Sequence, residues 1–160
     1  INGSFFSPGC FMQNFLGMFK PQPVGDGKYA VFNIIRPASE IPFFDTEDTG
    51  KFVGAILNEP EKFQGKVLNG VNGLYSFGTI VEIISKVTGK SVDYKQIPED
   101  AFKQQIPEPI AEEITEMFLF FDKCNIYGPQ TKDLVEWSIQ QVPDKLGTFE
   151  EFFERNPLDL

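Results

Sequence analysis

The segment from Ser76 to Gly89 constrains the fold more than any other. Phe77, Ile80, Val81, Ile84 and Val87 recur at helical spacing, Ser76 can cap the first turn and Gly89 stands just past the last. This pattern predicts an amphipathic helix closed at both ends. On either side, Lys66 to Val71 and Ser91 to Lys95 have the length and β-rich character of short strands. A helix held between two strands requires a sheet to bury its apolar stripe, and that points to a layered α/β protein.

The rest of the chain repeats this alternation. Gly3 to Ser7 reads as a strand running into Pro8-Gly9, and from Cys10 the spacing of Phe11, Phe15, Met18 and Phe19 predicts a helix that Pro21-Gln22-Pro23 stops. After the Gly25-Asp26-Gly27 turn come a strand over Tyr29 to Ile35 and a second over Ile41 to Phe44. Asp45 and Asp48 precede an apolar stripe of Phe52, Val53, Ile56 and Leu57, which predicts a helix over 46–58. Gly50 and Gly54, four apart on it, are read as close packing on a sheet in preference to a ligand contact. Asn69 to Gly73 reads as a turn. Pro98 suits the first residue of a short helix, and Ile110, Ile114, Met117, Phe118 and Phe121 define a longer one with an acidic outer face. Thr148 and Glu151 form a capping box ahead of Phe149, Phe152 and Phe153. About six short strands result, with no repeat or linker, so residues 1–160 are expected to form a single region.

Charge and residue usage narrow the chemistry. Lys and Arg number 14 against 23 Asp and Glu, a formal charge of -9 that would repel phosphate backbones, so direct nucleic-acid binding is not expected. Histidine is absent, which removes imidazole zinc sites and the Ser-His-Asp and Cys-His arrangements. Cys10 and Cys124 allow one disulfide at most, which favours a reducing compartment. The longest apolar run, Met117 to Phe121, is far below the roughly 20 residues of a bilayer crossing. With no basic-then-apolar leader at its start, the chain is expected to be soluble and cytoplasmic, with the nucleus as a second compartment. The triplet Asn2-Gly3-Ser4 is read as a chance sequon.

No loop has the glycine spacing that cradles a pyrophosphate; Asn69 to Gly73 comes nearest and reads as a turn. No tyrosine has a lysine four residues on, as a lowered phenol pKa would need. Asp45, Glu47 and Asp48 are better explained by the helix macrodipole than by acid/base or cation chemistry. Cys10 is open to two readings, a thiol activated near a helix N-terminus and a buried packing group, with its apolar neighbours favouring the second. The 18 phenylalanines are either a ring-rich core or an apolar surface that a neighbour covers. No catalytic residue and no metal ligand emerges.

The stretch Ser7-Pro8-Gly9-Cys10-Phe11-Met12-Gln13-Asn14 resembles the "RPGxFMxN" segment of NmrA-like proteins, in the atypical short-chain dehydrogenase/reductase group. Asp45 to Val53 resembles that family's "DxxDxG" helix start, and Ile97 to Phe102, Glu113 to Met117, Tyr127-Gly128 and Leu146 to Phe152 follow in the same order. The resemblance implies a protein of roughly twice this length, whose N-terminal Rossmann half binds NAD or NADP. This chain would be the C-terminal, substrate-side part of that fold, an α/β arrangement of mixed short strands with helices. Pro8, Gly9, Cys10, Phe11 and Asn14 would line the nicotinamide end of the cofactor. Ser7 departs from the family's arginine. The implied function is a redox-sensing regulator that works through a protein partner, such as a transcription factor, without turnover. The alternative is an NAD(P)H-dependent reductase of quinones or related aromatic compounds.

Overall fold

Helix formation around Ser76 follows from the end groups as much as from the stripe. A computed structural model describes residues 3–160, so the Asn2-Gly3-Ser4 triplet begins outside the described residues. Among the described residues the eight strands are β1 (Phe5–Pro8), β2 (Cys10–Phe11), β3 (Gln22–Gly25), β4 (Lys28–Asn33), β5 (Glu40–Phe44), β6 (Val67–Gly70), β7 (Gly73–Ser76) and β8 (Ser91–Gln96). The helices are α1 (Thr49–Asn58), α2 (Pro60–Phe63), α3 (Phe77–Thr88), α4 (Glu99–Lys103), α5 (Glu108–Cys124), α6 (Thr131–Gln140) and α7 (Phe149–Arg155). At the start of α3 the Ser76 hydroxyl accepts from the Thr79 N–H at 3.1 Å, and at its end Gly89 sits at φ 68°, the left-handed conformation glycine adopts without strain. Phe77, Ile80 and Ile84 are fully buried beneath it.

The strands form three small sheets, in the orders β1-β6, β2-β5-β7 and β3-β4-β8. β4 runs parallel to β8 over six residues, Lys28 opposite Ser91 through Asn33 opposite Gln96, with α3 crossing between β7 and β8. β4 stops at Asn33, two residues short of the expected end, because the Asn33 carboxamide oxygen accepts from the N–H groups of Ile34 and Ile35 and turns the chain. β1 runs parallel to β6 and to no other strand among the described residues.

The larger of two aromatic clusters is centred on Phe15. Phe15 meets Phe19, Phe43, Phe77, Phe149 and Phe153 at ring-centroid distances of 5.5 to 6.1 Å, mostly tilted or edge-to-face as ring quadrupoles prefer. Twelve of the 18 phenylalanines are almost wholly buried, so the ring excess is chiefly core. The capping box of Thr148 and Glu151 is complete and delivers Phe149, Phe152 and Phe153 into that core. Phe5, Phe11 and Phe120 remain exposed. By strand alternation Phe6 and Leu68 turn into a second cluster with Phe44, Phe52 and Phe63, while their neighbours Phe5 and Val67, paired across the ribbon, turn to solvent at 58% and 46% exposure.

Four expectations need correction. The helix expected from Cys10 is not there: Cys10 and Phe11 are extended and pair parallel with Phe43 and Phe44, and only a 3-10 turn, Met12–Leu16, follows. The ladder to β5 outcompetes local helix formation, and two members of the supposed apolar face, Phe11 and Met18, are exposed. Gly50 and Gly54 pack against nothing, since a methyl group on either would meet open space. Asn69 to Gly73 is not simply a turn, because it contains the end of β6 and the start of β7, which pairs antiparallel with β5. Pro98 caps α4 from outside instead of opening it. The acidic outer face of α5 is as expected, with Glu112, Glu113 and Glu116 exposed.

Candidate functional site

Pro8 to Asn14 is where the chain passes from one sheet to another. Pro8 ends β1 opposite Gly70, the Gly9 N–H donates to the Gly70 carbonyl at 2.8 Å, and Cys10 then enters the other sheet beside Phe43. This crossing needs glycine. A Cβ on Gly9 would lie 2.5 Å from the Pro42 carbonyl oxygen and 3.4 Å from the Tyr127 hydroxyl. Tyr127 also donates its hydroxyl to the Ser7 carbonyl at 3.1 Å, so one phenol braces both the end of β1 and the glycine. The sequence offered Tyr127 only as part of a Tyr-Gly pair; its bracing role depends on a contact 120 residues away along the chain.

Beyond Gly9 the side chains sort by face. Met12 and Phe15 are fully buried and anchor the 3-10 turn in the core. Phe11 leaves 41% of its surface exposed, its ring tilted against Phe44 at 6.3 Å. Asn14 turns its amide onto the Cys10 sulfur at 3.7 Å, and its backbone carbonyl accepts from Gly17 and Phe19. Burial pushes the Cys10 thiol up to about 12, further than the opposing hydrogen bonds from Asn14 and Phe11 pull it down. At neutral pH Cys10 is therefore a protonated packing group, and the reading of an activated thiol at a helix N-terminus fails with the helix itself. Burial likewise raises the Tyr127 phenol, with the Cys10 sulfur adding to the effect.

The carboxylates after β5 are structural clamps. Asp45 is fully buried and accepts from the Gln13 amide at 2.7 Å, the Glu47 N–H at 3.1 Å and the Arg155 guanidinium at 2.5 Å, joining the 3-10 turn after β2, the turn ahead of α1, and α7. Asp48 accepts from the Gly147 N–H at 2.8 Å, from the Asn72 amide and from Lys51. Burial alone would raise its pKa; Lys51, Gly147 and Asn72 outweigh it and hold the carboxyl below the usual range. Among the described residues no group of three or more Cys, Asp or Glu is placed to hold a metal ion. Pro8, Gly9, Cys10, Phe11 and Asn14 thus lie on one stretch that runs from the end of β1 through β2 into the 3-10 turn, and Gln13 ties it to the Asp45 clamp.

This arrangement of short mixed strands and helices matches NAD(P)-binding Rossmann-type structures. The solved NmrA, a negative transcriptional regulator in complex with NADP, superposes over 99% of this chain and 56% of its own, with a TM-score of 0.72 at 19% identity. A Citrobacter triphenylmethane reductase complexed with NADP(H) covers 95% of this chain and 53% of its own, with a TM-score of 0.65 at 17% identity. The sequence pattern of the NmrA-like family matches residues 1–153, and the chain belongs to that family. An NmrA-like family domain-containing protein of Dictyostelium discoideum is 29% identical over 157 residues, covering 95% of this chain and 49% of its own length. The NmrA-like oxidoreductase FrzB of a Cladobotryum species is 30% identical over 131 residues, 71% of this chain and 38% of its own. The chain spans about half the length or less of these curated relatives.

Proposed function

We propose that residues 1–160 are the substrate-side part of a dinucleotide-binding regulator, which senses NAD(P) redox state and acts through a protein partner without turnover. The observation that carries this reading is the β1-β6 ribbon. Parallel strands are ordinarily covered on both faces and paired along their edges. Here β1 pairs with β6 alone among the described strands, and Phe5 and Val67 stand bare on one face. A nucleotide-binding half continuing the sheet along β1 would cover them and bring the dinucleotide to the loop at the carboxyl end of β1, where α/β sheets hold ligands. Pro8, Gly9, Cys10, Phe11 and Asn14 would then line the nicotinamide end, with Phe11 offering its exposed ring.

The chemistry beside the loop suits sensing more than turnover. Cys10 holds its proton to about pH 12, and burial also raises the Tyr127 phenol, so neither group is poised for proton transfer near neutrality. The chain's charge of -9 suits a basic partner such as a transcription factor. No helix among the described residues is long and apolar enough to cross a membrane. The proposed location is the cytoplasm, with the nucleus as a second compartment, a reading that draws on the free Cys10 and Cys124. The second reading, a reductase, draws on relatives that are named oxidoreductases. Partner affinity of the full-length protein measured with oxidised and reduced dinucleotide decides between them. Equal affinity in every nucleotide state would end the sensor reading, and steady NADPH oxidation with a quinone panel would establish the reductase.

A further inference from the structure

A cavity of about 590 Å³ opens between the β4-β5 connection, the start of α3 and the α5-α6 connection, and none of the loop residues from Pro8 to Asn14 lines it. Its volume falls in the range of small-molecule sites. In a chain of charge -9, its wall carries three cations, Arg36, Lys123 and Lys132, against two carboxylates, Glu40 and Asp122.

The Arg36 side chain is 63% exposed, but it is held at one edge by Asp122. Its Nε donates to the Asp122 carboxylate at 2.9 Å, its Nη2 to the Asp122 carbonyl at 2.8 Å, and its backbone N–H to the carboxylate at 3.1 Å. The Ser39 hydroxyl donates to the same carboxylate at 2.6 Å. Burial alone would raise the Asp122 pKa; these donors outweigh it and keep the group ionised. A guanidinium has five N–H donors, so after two are spent on Asp122 three remain on a fork that is already oriented. Lys132 pairs with Glu40 at 3.0 Å, but both are well exposed, and such a pair yields readily to a stronger anion. Lys123 makes no ion pair among the described residues.

We propose that this cavity binds the phosphate group of a small hydroxyl-bearing phosphate monoester through Arg36, Lys123 and Lys132. A phosphate dianion matches three cations lining one cavity, whereas a single carboxylate would leave part of that charge unmatched. The cavity is also far larger than a phosphate ion. The cavity lining also includes Thr79, Asn125 and Glu40, groups that hydrogen-bond hydroxyls.

The test is an amide-resolved NMR titration of the full-length protein with glucose 6-phosphate, run beside glucose and inorganic phosphate. Saturable shifts confined to Arg36, Ser39, Lys123, Asn125 and Lys132, with a midpoint at or below the millimolar range, are expected. The ester should bind more tightly than inorganic phosphate, and glucose should not bind. The double substitution K123Q/K132Q removes two exposed side chains and should weaken binding about tenfold or more while leaving the rest of the spectrum unchanged. Absence of saturation, equal affinity for glucose or for inorganic phosphate, or undiminished binding by K123Q/K132Q would each overturn the proposal.

Discussion

Replacing Gly9 with alanine should unfold the protein more easily than the size of a methyl group suggests. The new Cβ would sit 2.5 Å from the Pro42 carbonyl oxygen and 3.1 Å from its carbon, closer than real Cβ contacts come. Neither neighbour can step aside cheaply. Pro42 is held in β5 between β2 and β7, opposite Leu74, and Gly9 is held by its own bond to Gly70. Relief requires opening the Cys10–Phe43 pairing or lifting Tyr127 from Ser7. Overpacking of this kind costs about 3 kcal/mol, which for a chain of this length lowers Tm by about 6 to 12 °C. Circular dichroism melts of G9A and of G54A make the comparison. Gly54 lies inside α1 with open space where its methyl would go, so G54A should gain up to about 1 kcal/mol through helix propensity. A G9A melt within a degree of the parent protein would refute the close-approach reasoning.

Arg155→Ala strips the fully buried Asp45 of its cation, leaving only Gln13 and the Glu47 N–H, and should cost about 2 kcal/mol in chemical denaturation. Acid should destabilise the fold through Asp48 and Asp122. Their folded pKa values lie below the ordinary 3.8, so their contribution is present above that value and is lost as pH falls through the folded ones; D48N should flatten this acid limb of the stability curve. With a thiol reagent at pH 8, the exposed Cys124 should react faster in the folded protein than the half-buried, protonated Cys10, so equally rapid labelling of both native thiols would contradict the raised Cys10 pKa.

What could be read along the chain was decided by local chemistry. Ser76 and Gly89 close α3, and Thr148 and Glu151 close the start of α7, because caps act within one turn of the residues that encode them. The failures are non-local. Phe11, Phe15 and Phe19 have helical spacing, yet Cys10 and Phe11 extend because a partner strand 33 residues on supplies the hydrogen bonds. Gly73 looked like turn chemistry but pairs with Phe43. In the candidate site, the identity of the loop came through family resemblance, and the need for glycine at position 9 became visible only once Pro42 and Tyr127 were beside it. Arg36 and Asp122, 86 residues apart, left no mark in the sequence pattern at all.

The bare β1-β6 ribbon and the loop beyond it stand or fall on where a dinucleotide touches this polypeptide. The direct measurement is an NADP titration of the full-length protein, read at the amides of Gly9, Cys10, Phe11 and Asn14. Saturable shifts at these four are expected if the loop lines the nicotinamide end. A dinucleotide that saturates the protein while these amides stay silent would contradict that placement.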